Sequence, residues 1–422
     1  MDEAAGNRAT QRVDFWRRLL RFRLRTLLIW IFILSVPLAG YVWWRERARR
    51  QAQAVATIER LGGRVYYDGQ VVDGIVHDEP PLTRWQRWLG KDFFYDVVEV
   101  SQQTGRTPNY VGVIGPLPPS PTEAEKTVER AEADAFWRAA ARFKRLRELN
   151  TYGDWASYGN PKRCLGTFTE LRDLHIDDAE LTDNDLIALE RLAKLERLFL
   201  EGNQVGDETV KRLSGCVHLK SVDLSDTLVT DEGLRYLASS EELEWLSLGG
   251  TKISDEGLKH VGRLRSLHFL ELHNTSISDA GLKHLAPLAN LEDLSLWSTR
   301  VSGAGLTHLE RLSRLDNLDL SHCPVDGQGA RYVARLEHLR WLDLSDTKIP
   351  AEAFAEMTWP QSLEDLDLDY SEVDDRGLAP LLKLKSLGNV GLLRTKVTRE
   401  ALDRFNQLRP GILTWLSNDA SP

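Results

Sequence analysis

The feature that most constrains this chain is a recurrence. The phrase Leu-x-x-Leu-x-Leu, with Val or Ile at some later positions, begins at Leu171, Leu195, Leu219, Leu243, Leu267, Leu291, Leu315, Leu339, Leu363 and Leu387. Every interval is 24 residues, and a fixed period of that length marks a stacked repeat in which each unit is one supersecondary element. The Leu243 unit shows the logic. Leu246 and Leu248 alternate inward from a short strand, Thr251 turns the chain, Ile253 fills the core and Ser254 opens a helix that returns Leu258, Val261 and Leu264 to the same core. One unit cannot bury that face alone. Stacking gives each inward Leu neighbours on both sides, worth about 1.5–3 kcal/mol per fully buried side chain before chain entropy is subtracted.

These residues resemble the leucine-rich-repeat superfamily, and Leu-Ser-Asp-Thr-Leu-Val-Thr-Asp-Glu-Gly-Leu at 224–234 is similar to the bacterial relatives of its cysteine-containing subtype. The resemblance implies an α/β fold: a right-handed solenoid, or horseshoe, with a parallel sheet on its concave side and helices on its convex side. It also implies a role in protein interaction. F-box substrate receptors are the best-known proteins of that subtype, but no F-box-like helical module precedes these repeats. At the turn after the strand, where the family often carries Asn or Cys, this chain has Thr227, Thr251, Thr275, Thr299, Thr347 and Thr395, with Asn203 and Cys323 as variants. A small side chain beside buried backbone is a structural requirement, so this column is not read as a site.

The N-terminal part faces different surroundings. Its first fifty residues hold eleven Arg and four acids, a charge of +7, so the total of −9 leaves −16 on the rest. Between Thr26 and Trp44 no residue is charged. As a helix those 19 residues would reach about 28 Å, close to the thickness of a bilayer core, and arginines flank both ends. We expect a single uncleaved transmembrane helix at 26–44, because the run is longer than a signal-peptide core and no small-x-small site follows it. Arg is balanced across the span, seven before it and six in the twenty residues after, so orientation is weakly encoded; the expectation is an exported solenoid.

The expected organisation is a basic tail at 1–25, the span, a juxtamembrane α/β segment with a Pro-rich linker at 45–121, a capping helix and degenerate first repeat at 122–170, the repeats at 171–410 and a C-terminal cap at 411–422. Within it, Glu46 to Leu61 and Trp85 to Leu89 read as helices, while Arg64–Tyr67 and Asp96–Val100 read as strands, the latter as a possible first rung. Thr122 to Glu125 forms a capping box, and Val128, Ala135, Ala139, Phe143 and Leu146 make one apolar stripe. Arg145–Leu149 reads as a rung one residue out of phase. Cys164, Cys216 and Cys323 have neither an even count nor metal-ligand spacing, so free buried thiols are expected.

Function should lie where packing does not dictate identity. Strand alternation puts the second, fourth and sixth residues after each leading Leu on the concave face. Those positions hold Asp173, Asp177, Glu201, Asp223, Glu271, Asp293, Asp319, Asp343, Asp365, Asp367 and Asp369 against a single Arg197. Such a field attracts cations or a basic protein and repels nucleic acid. Among the acids stand Phe199, Trp245, Phe269, His273, Trp297 and Trp341. The binding residues read from this pattern are Phe199, Asp223, Trp245, Phe269, Glu271, His273, Trp297, Asp319, Trp341, Asp343 and Asp367. Aromatic rings stack on Arg or Lys while carboxylates pair with the same charges. The bland alternative is that the rings lie across small neighbours such as Ser247, Gly249 and Ser295 and simply cover the sheet.

Asp319, Asp343 and Asp367 share one column in three successive repeats, a self-repulsive row that invites a calcium ion, but no calcium-loop motif accompanies it. His260, His284 and His308 recur with the period and are explained by repetition. Asp231-Glu232, Asp255-Glu256 and Asp279 fall in first helical turns, where negative charge favours the helix dipole. No nucleophile elbow, phosphate loop, dinucleotide fingerprint or zinc-protease motif occurs. The chain is therefore expected to be a membrane-anchored, non-enzymatic interaction scaffold without cofactor or metal, its partner a basic protein or peptide. Glycan or cell-wall binding and a purely architectural envelope role remain alternatives.

Overall fold

The structure is a computed structural model; it describes residues 42–43, 45–61, 63–67, 71–72, 75–76, 97–102, 123–152 and 161–415. Two compact units divide the chain: Met1–Thr57 with Tyr67–Asp96, and Ile58–Tyr66 with Val97–Pro422. In the first, residues 45–57 are helical and Val71–Val72 pairs antiparallel with Ile75–Val76. The expected span at 26–44 lies outside the described residues except Val42 and Trp43, both helical and exposed. Among the described residues no helix is long and apolar enough to cross a membrane. The expected helix at 85–89 and the Pro-rich linker also lie outside them.

The second unit is one layer of sheet backed by one layer of short helices. Fourteen strands follow one another across the sheet in chain order, apart from a hairpin that stands outside it, and every pairing from Val97–Gln102 to Leu413–Trp415 is parallel. Register repeats with the sequence: Leu246, Leu270, Leu294, Leu318, Leu342 and Leu366 stand side by side. The core residues read from the Leu243 unit, from Leu243 through Ile253 to Leu264, are all buried.

The sheet begins before the regular repeats. Gly63–Tyr67, Val97–Gln102 and Glu148–Tyr152 are its first three strands, and Glu148 stands opposite Asp173, a spacing of 25 rather than 24. That is the phase slip visible in the sequence. Of the expected stripe, Ala139, Phe143 and Leu146 are buried and Ala135 is half-exposed; within the helix Glu123–Ala140 the buried face is carried chiefly by Ala133, Phe136, Trp137 and Ala140. These four obey the same helical spacing, and burying two aromatic rings outweighs burying alanines.

Turn chemistry holds the rungs. Thr227, Thr251, Thr275, Thr299 and Thr347 each donate a hydroxyl hydrogen bond to the carbonyl three residues earlier, at 2.5–2.8 Å, and Ser371 does the same. Asn203 replaces this with a larger net, accepting from the Ala179 and Leu181 amides and donating to the Ile176 and Leu200 carbonyls. The Cys323 thiol donates to Leu296. All three cysteines are free and buried, as expected.

The helical side carries a second ladder that local reading had treated as simple capping. Asp207 accepts hydrogen bonds from the backbone and hydroxyl of Thr230 in the next repeat (2.9 and 2.7 Å). Asp231 does this to Ser254, Asp255 to Ser278, Asp279 to Ser302 and Asp375 to Thr398; Asp183 does it to Gly206 and Thr209. Each carboxylate thus staples its repeat to its successor. The glycine in Asp-Glu-Gly-Leu makes room: a Cβ on Gly257 would stand 2.5 Å from an oxygen of Asp231. Where the acid is replaced by Gly303, Gly327 or Ala351, the next repeat manages alone. Asp326 and Asp374 accept from their own first turns, and Pro350 makes no side-chain cap.

Candidate functional site

On the open face of the sheet the predicted side chains fall into three groups. The first is a row of rings. His175, Phe199, Trp245 and Phe269 follow one another with centroids 4.5, 5.7 and 4.9 Å apart, and the last pair is stacked within 9° of parallel. Phe199 stands opposite Asp223 and Trp245 opposite the small Ser221, so the two rings meet diagonally across the Leu219 repeat. Such pairs contribute about 0.5–1.5 kcal/mol beyond area burial. At this end the rings cover the sheet, and they are half-buried.

The second group is a polar chain. The Ser225 and Ser247 hydroxyls meet at 2.5 Å, Ser247 donates to Glu271 Oε2 at 2.6 Å, and Glu271 Oε1 stands 2.9 Å from His273 Nδ1. The hydrogen bond to Glu271 raises the His273 pKa, and that from His273 lowers the Glu271 pKa. His273 lies flat on Trp297, centroids 4.8 Å apart, and over Gly249, where a Cβ would collide with its ring at 1.9 Å. The chain fixes the imidazole and, through it, the indole of Trp297. Serine is bonded to the carboxylate and not to the imidazole, so the arrangement is not that of an activated nucleophile.

The third group bounds a hollow of 620 Å³. Its walls are Phe269, Trp297 and Trp341, the last 37% exposed. In the first facing column the order Phe269, Asp293, Asn317, Trp341, Asp365 is contiguous and in register. Two short polar residues, hydrogen-bonded to each other, therefore separate two rings. Three strand steps set those rings' backbones about 14 Å apart. Glu271, Asp319, Asp316 and Glu364 complete the acidic lining; Arg340, the cation of the lining, is held by Glu364 at 2.8 Å.

Of the predicted binding residues, Phe269, Glu271, Trp297, Asp319 and Trp341 line this hollow, and His273 supports it. Phe199, Asp223 and Trp245 lie in the neighbouring repeats. Asp343 and Asp367 stand in register beside Asp319, but each of the three turns an oxygen toward its own chain, onto the amides of Ser321, Ser345 and Asp369. That is why the row does not converge. Among the described residues no group of three or more His, Cys, Asp or Glu is placed to hold a metal ion. Burial, reinforced by Asp367 and Asp319, pushes the Asp343 carboxyl up to about 6; burial with Asp223 and Asp177 pushes Glu201 up to about 7.

Sequence reading overlooked Asn317, Asn389 and Arg340. A signal for the first two was present: each stands 24 residues after an Asp of the same column, and Asn389 bonds Asp365 as Asn317 bonds Asp293. Arg340 lies outside the alternating positions and only the fold brings it to the rim.

This parallel sheet with short helices on one side is a leucine-rich-repeat solenoid. A family model described as leucine rich repeat matches residues 215–238. An internalin from Listeria monocytogenes is similar in structure, with 19% identity and a TM-score of 0.51 over 67% of this chain and 83% of that one. A leucine-rich-repeat protein of Leptospira interrogans matches with 17% identity and a TM-score of 0.44, over 67% of this chain and 87% of that one. A plant peptide hormone receptor, solved with its peptide, matches with 16% identity and a TM-score of 0.40, over 66% and 48%. No match was found among curated proteins. The chain thus shares the fold of leucine-rich-repeat proteins, and the family model matches one 24-residue stretch of it.

Proposed function

We propose that this protein is an interaction scaffold whose open sheet face, from Phe199 to Trp341, receives a basic segment of a partner protein. The same reading places the scaffold at a membrane, tethered by the apolar run at 26–44, with the solenoid on the exported side. The observation that carries it is how the facing acids are held. Asp293 and Asp365 are bonded by carboxamides, Asp319 and Asp343 by serine groups, so neutral donors hold one oxygen of each while their charge is left unpaired. A face of that kind is ready for cations and for aromatic stacking, which together make Trp-rich interfaces strong.

The test uses the full chain in lipid nanodiscs and an array of extended peptides of basic, neutral and acidic composition. Basic peptides should be retained, and retention should fall as salt rises from about 0.05 to 0.5 M. Equal capture of neutral peptides, or equal capture by the Trp245→Ala, Trp297→Ala, Trp341→Ala triple variant, would refute the reading. Salt-insensitive retention of polysaccharides instead would favour the glycan alternative. For the tether, protease treatment of sealed vesicles is expected to cut the solenoid only from the exported side.

A further inference from the structure

The hollow between Phe269, Trp297 and Trp341 is more specific than a charged face requires. Its floor is the Asp293–Asn317 pair, flanked by Ser295 and Asp319, and its far side is Asp365 bonded to Asn389. Asp319 uses one oxygen on Ser321 at 2.7 Å, and its other oxygen stands 3.4 Å from Ser295, longer than a strong hydrogen bond. Trp297 is clamped by His273 on one side, and Trp341 is among the exposed large hydrophobic side chains of the described residues. At the opposite end of the same column the equivalent acid, Asp173, is closed by two nitrogens of Arg197, Nε and Nη2, at 2.6 and 2.7 Å. The chain thus shows what fills such a position when it is filled: a guanidinium. In the hollow that position is left to carboxamides, and rings are added around it.

We infer that this hollow is an arginine subsite, taking the side chain of one arginine from an extended segment of the partner. The planar guanidinium stacks against the indole of Trp341 and donates two hydrogen bonds to the carboxylates of Asp293 and Asp319. A lysine ammonium gains the charge but neither the plane nor the paired donors. The inference rests on the reading that the face binds a basic segment, and the test separates the two.

The probe is a nine-residue glycine–serine peptide with arginine at three alternate positions. Its lysine and citrulline counterparts serve as comparisons, citrulline keeping the shape and hydrogen-bonding plane while losing the charge. Binding to the full chain in nanodiscs is followed by indole fluorescence and calorimetry. The arginine peptide should bind about fivefold or more tighter than the lysine peptide, with the citrulline peptide weaker than both. Asp319→Asn and Trp341→Ala should each weaken the arginine peptide about fivefold or more, Trp341→Phe should keep most of the affinity, and Glu256→Gln on the helical side should change nothing. Thermal unfolding of each variant checks that the fold is retained. If the lysine peptide equals the arginine peptide, or if the hollow variants bind it like the parent, the subsite is wrong while the basic-segment reading survives. If no cationic peptide exceeds the citrulline one, both fall.

Discussion

The seams between repeats differ on the helical side. From Asp183 to Ser302 every seam is stapled by a carboxylate that accepts two or more hydrogen bonds from the next repeat. From Gly303 to Asp374 none is stapled in this way; Asp326 and Asp374 turn inward to their own helices. The two stretches have the same period and the same leucine core. Sequence repetition therefore does not make the repeats energetically equal. In a solenoid, stability is a sum of unit terms and seam terms, and the staples enter the seam terms. The hollow straddles the change: Phe269 and Trp297 belong to repeats joined by the Asp279 staple, while Asp319, Trp341 and Asp365 belong to the repeats that follow, whose seams are unstapled.

The largest effect should come from the shared core. Leu342→Ala, in a fully buried position, is expected to cost about 2–5 kcal/mol. If the unstapled seams couple poorly, denaturant unfolding of this variant should split into two steps, whereas Leu246→Ala should keep one. Two identical single transitions would erase the comparison. Asp231→Ala should come next, at about 1–3 kcal/mol, because it leaves the Ser254 amide and hydroxyl without their acceptor. Amide exchange should then rise at Ser254 and stay unchanged beyond Ser302.

The opposite experiment sharpens the contrast. Ala351→Asp with Asp374→Ser writes the missing staple into the last unstapled seam and should stabilise the protein by about 0.5–1.5 kcal/mol. Either substitution alone should give less. The smallest effect concerns pH. Glu201 lies in the stapled half with its carboxyl pushed up from 4.5 to about 7 by burial and neighbouring acids. The folded form therefore holds its proton more tightly than the unfolded chain. Its contribution is complete below about pH 4.5 and is lost as pH rises through about 7. Glu201→Gln should flatten the decline in melting temperature over that window; an unchanged profile would assign the decline to other acids.

Much of the fold was legible because one signal carried it. A strict 24-residue period with alternating Leu fixes strand direction, register and core together, so the period alone sets Leu246 and Leu270 side by side. The facing columns were equally legible, since alternation alone assigns Trp245, Trp297 and Trp341 to the open side. What the sequence hid was pairing between repeats. Asp231 looks like an ordinary first-turn acid until Ser254 of the next unit is brought to it, and Asn317 looks neutral until Asp293 lies beside it. The aromatic question divided for the same reason. Trp245 finds Phe269 one rung away and stacks, whereas Trp341 has Asn317 and Asp365 as column neighbours and stays exposed. The stripe that starts in the helix Glu123–Ala140 was read in part, with Ala139, Phe143 and Leu146 buried, but it missed Phe136 and Trp137, the large rings that decide the helix's buried face.

The staples also have a direction. Each carboxylate belongs to the earlier repeat and each donor to the later one, so during synthesis the acceptor leaves the ribosome some two dozen residues before its donor. A finished unit presents a waiting acceptor to the one being made, and the growing edge is templated from its own N-terminal side. Where the acid gives way to Gly303, that relay stops, and the next three units organise their first turns without it until Asp375 resumes it at Thr398.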